Sequence, residues 1–129
     1  MTNVDYFKRQ AKLFLKDFRT QYFDEEADVF QYNPKFFTDI GGIIVSYDID
    51  EENFSLMNAQ HIISLIAGFE SWNDLMHATE EKLELGKLLV ENRDECGNIV
   101  DDWNMYLDIN SFNDLDDDFK IAIFKEIFL

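Results

Sequence analysis

The chain is poor in the residues that interrupt or cross-link a fold. It has one Pro, five Gly and one Cys in 129 residues. A single Cys96 excludes an intrachain disulfide, so the fold must rest on packing. So few Gly and Pro leave no room for long linkers, and no Ser/Gly-rich segment or internal repeat is present. Long apolar runs are also missing: Gly41–Val45 and Leu65–Phe69 are far too short to span a bilayer, and residues 1–18 hold no signal-peptide core. A soluble, cytoplasmic protein is the expectation. Positive charge is scarce, with 11 basic against 27 acidic residues and a net charge of −16. An acidic body repels phosphate backbones and anionic bilayers, which argues against direct nucleic-acid or membrane binding.

What the chain has in abundance is apolar and aromatic mass. Hydrophobic residues make up 47% and aromatics 16%, including 13 Phe. That supports an aromatic-rich core and one domain spanning 1–129. The charge is unevenly placed. Lys8, Arg9, Lys12, Lys16 and Arg19 face only Asp5 and Asp17 in residues 1–19, a net of +3, so the rest of the chain carries −19 of the total −16.

Periodicity predicts a compact, all-α or mostly α domain. Tyr6, Phe7, Ala11, Phe14, Leu15 and Phe18 recur at spacings of three and four, so residues 3–19 read as an amphipathic helix. A short helix is expected over 25–32. Gly41-Gly42 reads as a break, and the β-branched 43–49 as one short β-strand pair, a buried helical turn or an extended segment. Ser55 is placed to cap a helix through Ala67, with Gly68 at its left-handed C-terminal position. Ser71 restarts a helix around Trp72, Leu75 and Met76, with Asp74 in a capping-box pattern. Thr79 caps a helix carrying Leu83, Leu85, Leu88, Leu89 and Val90. Residues 101–108 read as a helix around Trp103, 111–118 as an acidic loop or helix start, and 119–128 as an aromatic helix. That last segment is apolar on more than one face, so it is either fully buried or a surface for homo-oligomers.

A resemblance enters at 6–78. Phe7-Lys-Arg-Gln-Ala-Lys-Leu-Phe-Leu-Lys16, Phe54-Ser-Leu-Met-Asn-Ala-Gln60 and Ala67-Gly-Phe-Glu-Ser-Trp-Asn-Asp-Leu75 resemble a helical module of small uncharacterised bacterial proteins. In it an "AQ…AGF-x-SW-x-x-L" unit follows a basic helix; the module also occurs in mobile-element proteins and in proteins labelled glyoxalase-related. The resemblance implies a helical fold and a bacterial, mobile-element or defence context. It implies no glyoxalase chemistry, because the run of strands of a glyoxalase domain is missing. The long insertion between the basic helix and Ser55 departs from the module.

Motifs for chemistry are sparse. His61 and His77 lack HExxH or Cys-rich spacing, and zinc needs three or four convergent ligands. Asp48-Ile-Asp50-Glu-Glu-Asn53 opens like a calcium loop, but Asn53 and Ala59 stand where Gly and Glu are required. Neither a phosphate loop nor a nucleophile elbow occurs. Cys96 beside Asp94 and Glu95 is a poor nucleophile, since acidic neighbours raise a thiol pKa. The expectation is therefore no catalytic, metal or cofactor residues, and a non-catalytic regulatory or inhibitor module that binds a basic protein surface. Its candidate partner-binding residues are Asp24, Glu25, Glu26 and Asp28, Asp101 and Asp102, and Asp116, Asp117 and Asp118, with the Phe69–Trp72 corner as a second surface. Two alternatives stand beside it. One is a nucleic-acid mimic whose acidic clusters occupy the groove of a nuclease or other nucleic-acid-binding protein. The other is a small-ligand protein or enzyme with an aromatic-lined pocket.

Overall fold

A computed structural model describes residues 2–94 and 98–129; Cys96 lies outside these. The element order is α1 (Asn3–Phe18), β1 (Tyr22–Asp24), β2 (Val29–Gln31), α2 (Ile40–Ser46), α3 (Leu56–Ile66), α4 (Trp72–Met76), α5 (Glu80–Glu91), α6 (Ile99–Ile109) and α7 (Asp117–Phe128). The chain is mostly α with one small antiparallel hairpin, as the composition and periodicity predict.

α1 begins at a full capping box: the Thr2 side chain accepts from the Asp5 amide, and Asp5 reaches back to the Thr2 amide. Those bonds to Thr2 hold the Asp5 carboxyl below its ordinary pKa. Ser55 and Asn58 form the equivalent box on α3, while Ser71 and Thr79 each accept one amide bond, starting α4 and α5. The stripe Phe7, Ala11, Phe14, Leu15 and Phe18 is buried against α3, and joins Ile40, Ile43, Ile63, Ile66, Leu75 and Val90 in the larger of the two cores that the described residues form. α5 packs against both α1 and α7 and divides its apolar side chains between the cores. Leu83 and Val90 enter the first, and Leu89, flanked by Leu85 and Leu88, enters a second built on Trp103, Leu107 and Phe124.

Two segments differ from the sequence expectation. Residues 43–49 form no strand pair and take the helical alternative instead; α2 runs through Gly41-Gly42, where a break was expected, and Ile40, Ile43 and Ile44 are buried at helical spacing. Strand alternation would have turned Val45 inward with Ile43, whereas Val45 is 82% exposed. The strand pair lies instead where a helix over 25–32 was expected, with Tyr22, Phe23 and Asp24 opposite Gln31, Phe30 and Val29. Asp24 Oδ1 accepts from the amides of Glu26 and Ala27, and Asp28 takes φ 56°, so the four residues between the strands close a turn that a helix would forbid.

Three helix ends share one device. After α2, α3 and α6 a residue with positive φ (Asp48, Gly68, Ser111) and an apolar residue behind it (Ile49, Phe69, Phe112) return their amides to the helix's last carbonyls. The sequence reading identifies only the one that uses glycine. Two polar contacts then fix loops to the core. The buried Asp17 carboxylate accepts the amides of Lys35 and Phe36 at 3.0 and 2.8 Å, and that of Phe37. Arg93 grips Asp39 through Nε at 2.7 Å and a second nitrogen at 3.1 Å, donates to the Val90 carbonyl, and lies 4.3 Å over the Phe37 ring.

Candidate partner-binding groove

The α3–α4 corner is built from Gly68, whose φ of 89° only glycine adopts without strain. The Phe69 amide donates to the Ser64 carbonyl at 2.9 Å, which fixes the direction in which its ring leaves the corner. The ring then lies against Gly86 of α5, where an added Cβ would sit 3.1 Å from both the ring and the Ala67 carbonyl. α5 can approach the corner this closely because residue 86 has no side chain.

Clefts open on two sides of Phe69. One, of ≈ 300 Å³, lies between the corner, α5, α6 and α7, with Leu85, Leu89, Val100 and Leu107 on its walls and Glu70, Asp74, Lys82, Asp117 and Lys120 at its polar positions. The other, of ≈ 360 Å³, reaches toward α2 and is lined by Tyr47, Leu65 and Asp101. Gly68, Phe69, Glu70, Val100 and Asn104 line both, so the two form one groove over the corner. Four separate segments thus bring carboxylates to one apolar groove: Glu70 from the corner, Asp74 from α4, Asp101 from α6 and Asp117 from α7. Among the described residues none of the four makes an ion pair, and only two ion pairs occur, Lys87–Glu91 and Arg93–Asp39. Tyr47 is half-buried in this groove, and its phenol is pushed up to about 12, first by burial and then by the charges of Asp101 and Asp94.

The nine acidic residues singled out from the sequence fall into three places. Asp24, Glu25, Glu26 and Asp28 belong to the β1–β2 hairpin, and none lines the groove; Asp24 spends its carboxylate on the turn. Asp101 and Asp102 occupy the first turn of α6, and Asp117 and Asp118 that of α7, after Asp116 at its N-cap. A helix N-terminus favours negative charge, so part of this acidity has a local structural cause. Only Asp101 and Asp117 also reach the groove. Glu70 lies within the Phe69–Trp72 surface read from the sequence, whereas sequence reasoning left out Asp74 and Asn104 as partner-binding positions, because each looks like an ordinary exposed residue until the corner and α6 meet. Phe69 and Glu70 of the Phe69–Trp72 surface thus share one groove with Asp101 and Asp117, while Trp72 and the other seven acidic residues do not line it.

His77 Nδ1 lies 2.8 Å from the Asn73 carbonyl of its own helix turn, and His61 lines a separate cleft of ≈ 180 Å³. In the calcium-like stretch, Asp50 accepts from the Glu52 amide and Asn53, and Asp48 serves as the left-handed residue that ends α2. Among the described residues no three His, Cys, Asp or Glu side chains converge as a metal set, and no helix is long and apolar enough to cross a membrane. Compared with protein-family models, curated proteins and solved structures, the chain matches none.

Proposed function

We propose that this protein is a non-catalytic interaction module, regulatory or inhibitory, that takes a basic segment of a protein partner into the groove over Phe69. The observation that carries the reading is that Glu70, Asp74, Asp101 and Asp117 line the apolar-walled groove, four carboxylates against the two ammonium groups of Lys82 and Lys120, and that among the described residues none of the four makes an ion pair. A Lys or Arg side chain suits such a site, because its aliphatic stem lies on Val100 and Leu89 while its head reaches a carboxylate. The surrounding acidic surface raises the encounter rate with a basic partner and screens out acidic ones.

The test compares wild type with the Asp101→Asn/Asp117→Asn variant as bait in a bacterial lysate, eluted in rising salt and identified by mass. The expected outcome is one stoichiometric basic protein on wild type, released as salt rises and absent from the variant. The same protein held equally by both baits, or release insensitive to salt, overturns the reading. Adding duplex DNA to the captured complex addresses the nucleic-acid-mimic form of the proposal: displacement by DNA places the groove against the partner's nucleic-acid site.

A further inference from the structure

α1 carries the opposite charge. Lys8, Arg9, Lys12, Lys16 and Arg19 are all exposed. At 3.6 residues per turn they fall within roughly 100° of arc and extend about 16 Å along the axis. Among the described residues none of the five makes an ion pair, although Lys16 lies 5.8 Å from the Phe36 ring centre. Lys12, Lys16 and Arg19 rim an open furrow of ≈ 450 Å³ whose apolar floor is Leu15 and Leu56. Met57, next in the chain, is 77% exposed. Cations around an apolar floor fit an acidic segment that also presents apolar anchors.

The protein itself presents such a segment. The outward face of α6 sets Asp102 and Asp108 around Met105 and Ile109, which are 59% and 74% exposed. From Asn98 to Asp118 the chain has seven acidic residues (Asp101, Asp102, Asp108, Asp114, Asp116, Asp117, Asp118) and no basic one. Among the described residues no ion pair joins α1 to α6, so neither surface satisfies the other within one copy. We infer that the furrow on α1 docks the outward face of α6 from a second copy of this chain. Met105 and Ile109 meet Leu15 and Leu56, and Asp102 and Asp108 meet Lys12, Lys16 and Arg19.

The contact is head-to-tail: each copy offers one furrow and one α6 face, so every copy added leaves one of each free unless a ring closes. The like net charge of −16 on every copy opposes it, which makes the association weak and concentration-dependent. A polyanion such as nucleic acid fits less well. The furrow floor is aliphatic, and Phe7, Phe14 and Phe18 of α1 are buried rather than offered for base stacking; Phe36, exposed beside Lys16, does not line the furrow.

Two charge-reversed variants test this by sedimentation velocity. Lys12→Glu/Lys16→Glu removes the furrow's cations and keeps α6. Asp102→Lys/Met105→Lys removes the α6 face and keeps the furrow. Both leave Asp101 and Asp117 in place, so failure here leaves the groove reading standing. Circular dichroism confirms that each variant is folded. Wild type is expected to show species growing with concentration, and each variant alone only monomer. The two mixed should give a one-to-one dimer that grows no further. Wild type that stays monomeric at every attainable concentration, or variants that fail to pair, overturns the inference. So does a single-stranded oligonucleotide retarded by wild type and not by Lys12→Glu/Lys16→Glu, which would assign the furrow to a polyanion.

Discussion

α1 and the α6–α7 pair are both amphipathic, bury aromatic rings, and expose charge of opposite sign. On α1, Phe14 meets Phe37 edge-on at 5.1 Å and Phe18 stacks on Phe54 at 4.2 Å, inside the larger core. On the other side Trp103 is ringed by Tyr106, Phe124 and Phe128 at 6.0, 5.2 and 5.6 Å, in a cluster of five buried residues that depends on those rings. The buried faces are dictated by helical periodicity. The exposed faces are not, since Lys, Glu and Arg serve a helix surface almost equally. Away from the first turns of α6 and α7, where the helix ends favour Asp101, Asp102, Asp117 and Asp118, the sign of the charge therefore adds little to stability and is free to select partners.

The comparison breaks most readily in the cores. Phe14→Ala and Trp103→Ala should each cost ~3–5 kcal/mol, with different reach. Phe14→Ala is expected to destabilise the whole chain. Trp103→Ala should release α6 and α7 first, seen as faster amide exchange over 99–128 while residues 3–18 stay protected. Uniform exchange in both variants would show that the two cores unfold as one unit.

Asp17 gives the next largest effect, because α1 uses it to hold the 35–37 turn by three amides. Asp17→Ala leaves those donors without their acceptor and should cost ~2–4 kcal/mol in a denaturant titration. Asp17→Asn, which keeps one accepting oxygen, should fall between.

High pH probes both regions more gently. Tyr6 on α1, Tyr32, and Tyr47 in the groove are all shifted upward, first by burial. A folded chain that holds phenol protons the unfolded chain releases near 10 is fully stabilised by them below that pH. It loses this stability as pH rises through the folded values, about 12 for Tyr47. Tyrosinate absorbance should then rise together with the loss of circular dichroism. Ionisation of all tyrosines near pH 10 in a chain that stays folded would contradict this. The charge reversals on α1 and α6 should be the smallest in stability, within about 0.5 kcal/mol, since both faces are exposed.

The amino-acid pattern was informative wherever a local rule decides structure. The Thr79 and Ser55 caps, glycine at the end of α3 and the stripe of α1 each depend on residues within a turn or two, and each stands where the sequence places it, Ser55 adding a full box with Asn58 that the sequence reading lacks. Legibility fell where local signals were balanced. Residues 43–49 suit strand or helix by composition, and the choice went to the helix that buries Ile40, Ile43 and Ile44. Residues 25–32 lost their helix to a turn held by Asp24. Of the groove, the corner with Glu70 and Asp101 and Asp117 were legible, while Asp74 and Asn104 were not, because Asp74 reads locally only as a capping residue and nothing nearby in the chain marks Asn104.

The sequence by itself determined the helical class, most helix starts, the aromatic cores and the segregation of charge, because each follows from spacing and side-chain chemistry along one helix. Only the tertiary structure decided that α2 is a helix, that the strands lie at 22–31, and that carboxylates from four segments share one groove. It also decided that the cations of α1 find no acidic partner in their own copy among the described residues. Those outcomes depend on which surfaces the packing of α1, α5 and α7 brings together and which it keeps apart, and no local rule encodes that.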